Sequence, residues 1–327
     1  MATVLVTGGA GYVGSHACKA LAAAGHHPVV YDSLAHGHRD FVRWGPLEQG
    51  DIADSARLDA VITQYRPDAV MHFAALIFVG ESVIDPARYY LNNVAGTLNL
   101  LEAVRRNGIG AMVFSSTCAI YGVPVQVPIP DGHPIAPINP YGAGKAVVEG
   151  MLRDYAAAYG LRYAALRYFN AAGADPGGEI GERHDPENHA IPLAVLAAMG
   201  RGTAFQILGT DYETPDGTAI RDYIHVNDLA AAHVAAIDHL LKDGDSLRLN
   251  LGTGIGTSVR QLVAAVERVA GHSLNPIEKP RRAGDSPILV ADARAARAIL
   301  GWQPRWTAID DIVATAWAWH AKDCRQV

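Results

Sequence analysis

Thr3-Val4-Leu5-Val6-Thr7-Gly8-Gly9-Ala10-Gly11-Tyr12-Val13-Gly14 decides the architecture of this chain. A short β-rich run enters a GxxGxxG pattern, which opens a helix-like stretch over Tyr12–Ala24. Glycine permits the sharp turn and lets backbone approach a pyrophosphate closely. The helix start then offers free N–H groups and a positive dipole end. Asp32 follows 18 residues after Gly14, where a second strand should end. A carboxylate there accepts hydrogen bonds from the ribose hydroxyls of adenosine and repels a 2′-phosphate, which favours NAD over NADP. Arg39, His36 and His38 keep NADP open, and glycines kept only for helix–sheet packing are the bland alternative.

Outward from this stretch, β-rich runs at Val4–Thr7, Val29–Asp32, Ala69–Phe73, Met112–Ser116 and Ala164–Tyr168 alternate with helix-like stretches. Those stretches cover Tyr12–Ala24, Ser55–Tyr65, Ser82–Arg106 and Tyr141–Tyr159. Such alternation predicts an α/β fold, a Rossmann-like doubly wound parallel sheet covered by helices on both faces. After Asn170 the rhythm changes. A polar, glycine-rich stretch from Gly173 to His189 reads as a long loop, a length that is usually functional or mobile. Shorter helices follow near Ile191–Met199, Val226–Leu241, Ser258–Ala270 and Ala308–Trp319. The expected division is a cofactor domain over 1–170 and a smaller α/β substrate domain over 171–327. Elements between 222 and 251, the run Leu247–Leu251 above all, are candidates to rejoin the main sheet.

Composition excludes several classes. Half of the 327 residues are apolar, so the chain can build a packed core. A net charge of −6 speaks against gripping nucleic acid by its phosphates. Cys18, Cys118 and Cys324 lie far apart without a CxxC, so neither a disulfide framework nor a structural zinc site is expected. The longest apolar stretch, Ala69 to Val79, is broken by His72 and falls short of the ~18 residues of a membrane span. A strand starting at Thr3 leaves no signal peptide, and a cytoplasmic protein is expected. His184 and His189 lie five apart without HExxH, so no metal is expected; His36 and His38 read as solvated loop residues.

Six prolines fall between Val123 and Pro140. They suit a polyproline ligand or, more simply, a rigid connection whose Asn139 caps the next helix and whose Pro140 starts it. That helix carries Tyr141 and Lys145, four residues apart and therefore on one face. Tyrosine, with an ordinary pKa near 10, is a poor base at neutral pH. A lysine cation about 4 Å away favours the phenolate by roughly 4 kcal/mol at an effective dielectric of 20. A positive nicotinamide ring would act in the same sense, and the phenolate could then take a proton from an alcohol. Ser115-Ser116-Thr117 ends the preceding strand, at the edge where open parallel sheets bind ligands. A hydroxyl there relays a substrate proton or merely satisfies a strand end. A Tyr–Lys pair alone is far more often a surface pair; its place in the fold decides.

Together these features resemble the extended short-chain dehydrogenase/reductase family, and within it the UDP-glucose 4-epimerases. The resemblance runs along nearly the whole chain. It rests on Thr7-Gly8-Gly9-Ala10-Gly11-Tyr12-Val13-Gly14-Ser15-His16, Gly80-Glu81-Ser82-Val83, Tyr168-Phe169-Asn170, Asp216-Gly217-Thr218, Arg221-Asp222-Tyr223-Ile224-His225-Val226 and Arg281-Arg282-x-Gly284-Asp285. It implies Thr117, Tyr141 and Lys145 as the catalytic set. It implies NAD contacts at Gly8, Gly11, Tyr12, Val13, Gly14, Asp32, Asp51, Ile52, Phe73, Ala74, Asn92, Ser115 and Tyr168, with Tyr141 and Lys145 also facing the cofactor. UDP-sugar contacts are implied at Asn170, Asn188, Arg221, Tyr223, Arg282 and Asp285. Arg221 and Arg282 also suit a diphosphate on chemical grounds, since guanidinium forks grip phosphate oxygens in pairs. The family pattern further implies NAD as cofactor, inversion of C4 of a UDP-hexose through a transient 4-keto sugar, and a homodimer formed through 82–106 and 141–159.

Departures matter as well. Ile77 stands where the family has a cofactor-contacting lysine, Leu208 where an aromatic often faces uracil, and Leu289 where sugar-pocket size is set. Leucine there leaves UDP-N-acetylhexosamines open as substrates. A nucleotide-sugar 4,6-dehydratase would need an Asp-Glu pair after the threonine, where this chain has Cys118 and Ala119. A catalytically dead cofactor sensor would tolerate loss of Tyr141 or Lys145, yet both are present.

Overall fold

A computed structural model of the chain describes residues 1–282 and 285–323; Cys324 lies outside the described residues. In chain order the elements are β1 (Thr3–Thr7), α1 (Tyr12–Ala23), β2 (His27–Asp32), β3 (Leu47–Gln49), α2 (Ser55–Tyr65), β4 (Ala69–His72), α3 (Val79–Ile84), α4 (Pro86–Tyr90) and α5 (Gly96–Arg106). Then come β5 (Ala111–Thr117), α6 (Pro140–Tyr159), β6 (Arg162–Tyr168), β7 (Asn170–Ala172), α7 (Ala190–Ala198), β8 (Gln206–Leu208), β9 (Ile220–His225), α8 (Val226–Leu241) and β10 (Leu247–Leu251). The chain continues with β11 (Gly256–Ser258), α9 (Val259–Ala270), β12 (Ile277–Lys279), β13 (Ile288–Leu289), α10 (Arg294–Leu300) and α11 (Ile309–Asp323).

Seven strands form one parallel sheet in the order β10-β6-β5-β4-β1-β2-β3. Alternation within each strand feeds two cores. Val4, Val6, Met71 and Val113 face the layer that contains α1 and α8. Leu5, Val70, Met112 and Phe114 face the layer of α2, α5 and α6. All eight are buried, and each such side chain contributes about 1.5–3 kcal/mol. β10 does rejoin the sheet, pairing Leu247–Leu251 with Ala164–Tyr168. Past Asn170, α8 and α10 also join the large sheet's first core, while the other elements build a small sheet of β11, β9 and β13 with β7 beside β9, a ribbon of β12 and β8, and a third core around α7, α9 and α11.

The single helix expected over Ser82–Arg106 is instead broken. Asp85 leaves helical geometry at φ −129°, ψ 71°, as a residue before proline must, and its carboxylate caps α4 by accepting from the Arg88 amide. Residues 91–95 then take a wider π turn before α5 begins. β3 went unpredicted because three half-exposed residues, Leu47–Gln49, carry too little pattern. Asn139 caps α6 as expected, accepting from the Gly142 amide at 2.8 Å.

The strand order reverses between β1 and β4, so the loops after these strands part and leave a crevice at their carboxyl ends. Residues 173–189 run without regular structure from β7 to α7, against the N-terminal end of α1.

Candidate active site

The glycine turn is built for close approach. Gly8 sits at φ +75°, where L side chains are strained, and a Cβ there would come within 2.5 Å of the Ala74 amide. A Cβ on Gly14 would fall on the Gly8 carbonyl. Gly11 caps α1 without a side chain, so the helix start stays bare at the sheet edge. These residues fit the pyrophosphate of a dinucleotide. Val13 lies in the first turn of α1. Asp32, at the end of β2, accepts from the amides of Ala10 (3.0 Å) and Leu34 (2.8 Å). Burial pushes its carboxyl above the usual range, and the two amides pull back. Phe73 and Ala74 follow β4 and hang on the Thr7 carbonyl. Ile52 is buried; Asp51 accepts from the Ala53 amide. Asn92 donates to Asn93, and Asn93 clasps both backbone polar groups of Leu76. Tyr12 donates its hydroxyl to the Gly173 carbonyl at 2.6 Å, tying α1 to the long loop.

Thr117, Tyr141 and Lys145 meet at the end of β5. The Thr117 hydroxyl accepts from the Ala119 amide at 3.1 Å and also engages the Tyr141 phenol. Ser115 pairs with the Tyr168 hydroxyl at 2.7 Å, while Ser116 turns to the other face and donates to Glu149. Burial governs the electrostatics of the Tyr–Lys pair. Lys145 Nζ donates to the Ser115 carbonyl at 2.8 Å and stands 5.9 Å from the centre of the Tyr141 ring. Burial drives the Tyr141 phenol well above its ordinary pKa, with Tyr168 adding to the rise and Thr117 opposing it. Burial also brings Lys145 down to about 7. The protein by itself therefore holds a neutral phenol, and a cation brought into the crevice has to supply the acidifying field.

The second group centres on Asp285. Its Oδ1 accepts from Arg221 at 2.8 Å and from Arg282 at 3.3 Å. This carboxylate gathers two guanidinium groups into one electropositive corner. Arg221 lies across β13 from Leu289, and Leu289 packs in the same cluster as Cys118 and Phe169. Leu289 thus packs on the apolar cluster that contains the residue after Thr117. Tyr223 is buried beside the Arg221–Asp285 pair, with its phenol pushed up to about 12 by burial. Asn170 neighbours Tyr223 across β7 and β9 and donates to the Asp222 carbonyl at 3.3 Å. Leu208 is exposed on β8 and Ile77 half-buried. Asn188 is exposed and anchored by its amide to Glu187.

Three features escaped the sequence reading. Tyr212 is buried, and its hydroxyl has no hydrogen-bond partner among the described residues; Asp285, Arg221, Arg281 and Arg282 are the charges that act on it. Arg281 lies 4.3 Å over its ring. Only its place four residues before Asp216-Gly217-Thr218 could have drawn notice. His38 is no free loop histidine, since its Nε2 meets the Arg183 carbonyl at 2.6 Å and its ring packs on Phe41. Glu182, His184, Glu187 and His189 gather within 4.8 Å of one another.

The family model described as the NAD dependent epimerase/dehydratase family matches residues 4–252. The chain belongs to that family. Among curated relatives, the UDP-glucose 4-epimerase of Rhizobium leguminosarum bv. trifolii is 58% identical over 98% of this chain and 98% of that protein. The crystal structure of the UDP-glucose 4-epimerase from Brucella ovis in complex with NAD superposes with a TM-score of 0.95 at 54% identity, covering 97% of this chain and 98% of the other. The Stenotrophomonas maltophila UDP-glucose 4-epimerase, solved with bound NAD and formylated UDP-arabinopyranose, gives 0.97 at 40% identity over the full length of both chains. As a member of the NAD dependent epimerase/dehydratase family, the chain places its Thr–Tyr–Lys set and glycine turn at one edge of one sheet.

Proposed function

We propose that this chain is an NAD-dependent epimerase that inverts C4 of UDP-glucose and UDP-galactose through a transient 4-keto sugar. The observation that carries this is the trio at the end of β5: Thr117 engaging Tyr141, with Lys145 one turn along α6. The Gly8–Gly14 turn, with Asp32 for the adenosine end, would hold NAD, which would supply the hydride chemistry when bound. Tyr141 takes the 4-hydroxyl proton, with Thr117 relaying it. Lys145, held by the Ser115 carbonyl, would face the cofactor when it is bound. Asp51, Ile52, Phe73, Ala74, Asn92, Ser115 and Tyr168 complete the cofactor walls. Arg221 and Arg282 grip the diphosphate, and Asp285, Tyr223, Asn170 and Asn188 surround the rest of the UDP-sugar. Binding energy from this remote nucleotide keeps the ketone from leaving while the hexose turns over.

A 4,6-dehydratase reading fails on chemistry. Cys118 is a buried thiol pushed up to about 12 by its burial, and Ala119 carries no acid. Purified protein given UDP-galactose and UDP-N-acetylgalactosamine in turn should convert the first to UDP-glucose, as separation of the products will read. Conversion of neither sugar would overturn the assignment. Conversion of the second as well would show that Leu289 leaves room for an N-acetyl group.

No described helix is long and apolar enough to cross a membrane, which accords with the cytoplasmic placement proposed for this enzyme. A homodimer accords with Val83, Ile84, Tyr90, Leu91, Leu98 and Val147, all large and exposed along the surface of α3 to α6. Sedimentation should give twice the chain mass at micromolar concentration; a monomer there would sink the pairing.

A further inference from the structure

Glu182-Arg183-His184-Asp185-Pro186-Glu187-Asn188-His189 closes the long loop before α7. Four of its side chains turn toward one point. His189 Nδ1 lies 2.9 Å from Glu182 Oε1 and 2.9 Å from Glu187 Oε1. His184 Nδ1 lies 3.2 Å from Glu182 Oε1 and 3.7 Å from Glu187 Oε2. Ligands about 2.0–2.2 Å from a tetrahedral zinc ion stand roughly 3.3–3.5 Å from one another. The observed separations straddle that spacing. A second observation points the same way: the His184 Nδ1 atom is buried and has no aligned hydrogen-bond partner among the described residues, although two carboxylates lie beside it.

We propose that Glu182, His184, Glu187 and His189 bind one divalent transition-metal ion of the zinc class. Two imidazoles with two carboxylates suit zinc, cobalt or nickel rather than magnesium or calcium, which take oxygen donors. Four protein donors close a tetrahedral sphere, so the ion is structural. Its neighbours define what it holds. The His184 ring packs edge-on to both Tyr12 and Phe78 at 6.2 Å. Trp319 donates its indole N–H to the Glu182 carbonyl at 2.9 Å. The ion clamps the loop carrying Asn188 onto the start of α1 and onto α11. The spacing E-x-H-x-x-E-x-H belongs to a loop, which is why a search for helical HExxH spacing passes over it. Without an ion, the same four groups would form two carboxylate–imidazolium pairs, and the test separates these states.

Full-length protein with its cofactor is stripped with dipicolinate, incubated with Zn(II), desalted and assayed for metal by mass spectrometry. One zinc per chain is expected, with a raised Tm relative to the stripped protein. Co(II) in its place should give the intense visible bands of a tetrahedral site. His184→Ala/His189→Ala, and separately the milder Glu187→Gln, should retain at least tenfold less metal, with cofactor content reporting that each variant is folded. Zinc retained equally by wild type and variants, no retention by wild type at micromolar zinc, or only weak cobalt bands would overturn the proposal. None of these readouts depends on turnover, so failure of the site is distinct from failure of the epimerase assignment.

Discussion

Tyr141→Phe should leave the protein folded and loaded with NAD while epimerisation falls by about 10²–10⁴-fold, the usual range for losing a positioned proton-transfer group. Only an oxygen is removed. The ring stays in the first turn of α6, whose start is fixed by the Asn139 cap and by Gly142 packed against the Ala119 carbonyl. Thr117 remains but has no phenol to relay through. Bound cofactor measured after denaturation should match wild type, and coupled assays with UDP-galactose should show the loss in kcat rather than KM. Rates near wild type would remove Tyr141 from the proton path. The buried phenol also bears on pH. Its raised pKa means that little phenolate exists in the protein alone at neutral pH, so the rate should rise with pH until the phenol ionises, and the cofactor's positive ring should bring that rise toward neutral pH. Thr117→Ala removes a hydrogen bond that lowers the phenol's pKa, so it should shift that rise to higher pH at a lower rate.

Periodicity and punctuation in the sequence carry most of the sheet. Val4, Leu5 and Val6 followed by a glycine turn give β1 and α1 locally, and Asn139-Pro140 marks the start of α6. Tyr141 and Lys145 share a helix, so their common face is legible as well. How their charges interact is not, because it depends on a carbonyl 30 residues away, Ser115, that draws the ammonium aside. The break at Asp85-Pro86 was readable from the proline, but the strong helical pattern on both sides hid it. Tyr212 and Asp285 come together over 73 positions, and a hydroxyl left without a partner is visible only in three dimensions. The four loop residues near Asn188 are close in sequence, yet their convergence depends on a turn that no helical or strand period describes.

The same gap between local pattern and distant contact sets the largest stability effect. Arg167 on β6 is almost wholly buried and grips Glu149 of α6 with two nitrogens, at 2.6 Å and 2.9 Å. Its third nitrogen donates to the Tyr121 hydroxyl (2.9 Å) and the Asp131 carbonyl (2.8 Å) of the proline-rich segment. Tyr121 in turn donates to Asn250 on β10. Burial opposes the arginine charge, but Glu149 outweighs it and holds the pKa above the ordinary value. Arg167→Ala leaves a carboxylate in the core facing, among the described residues, the Ser116 hydroxyl, and should cost about 3–5 kcal/mol in urea unfolding. Arg167→Leu combined with Glu149→Leu removes both charges and should recover much of that loss, since the penalty lies in the stranded ion rather than in the missing attraction. Glu149 sits one turn beyond Lys145, and Ser116 lies between Ser115 and Thr117, so the pair also sets how α6 rides on β5. The double variant should therefore regain stability without regaining full kcat. A single-variant loss below about 1 kcal/mol would place the pair with ordinary surface bridges and remove its claim on the catalytic helix.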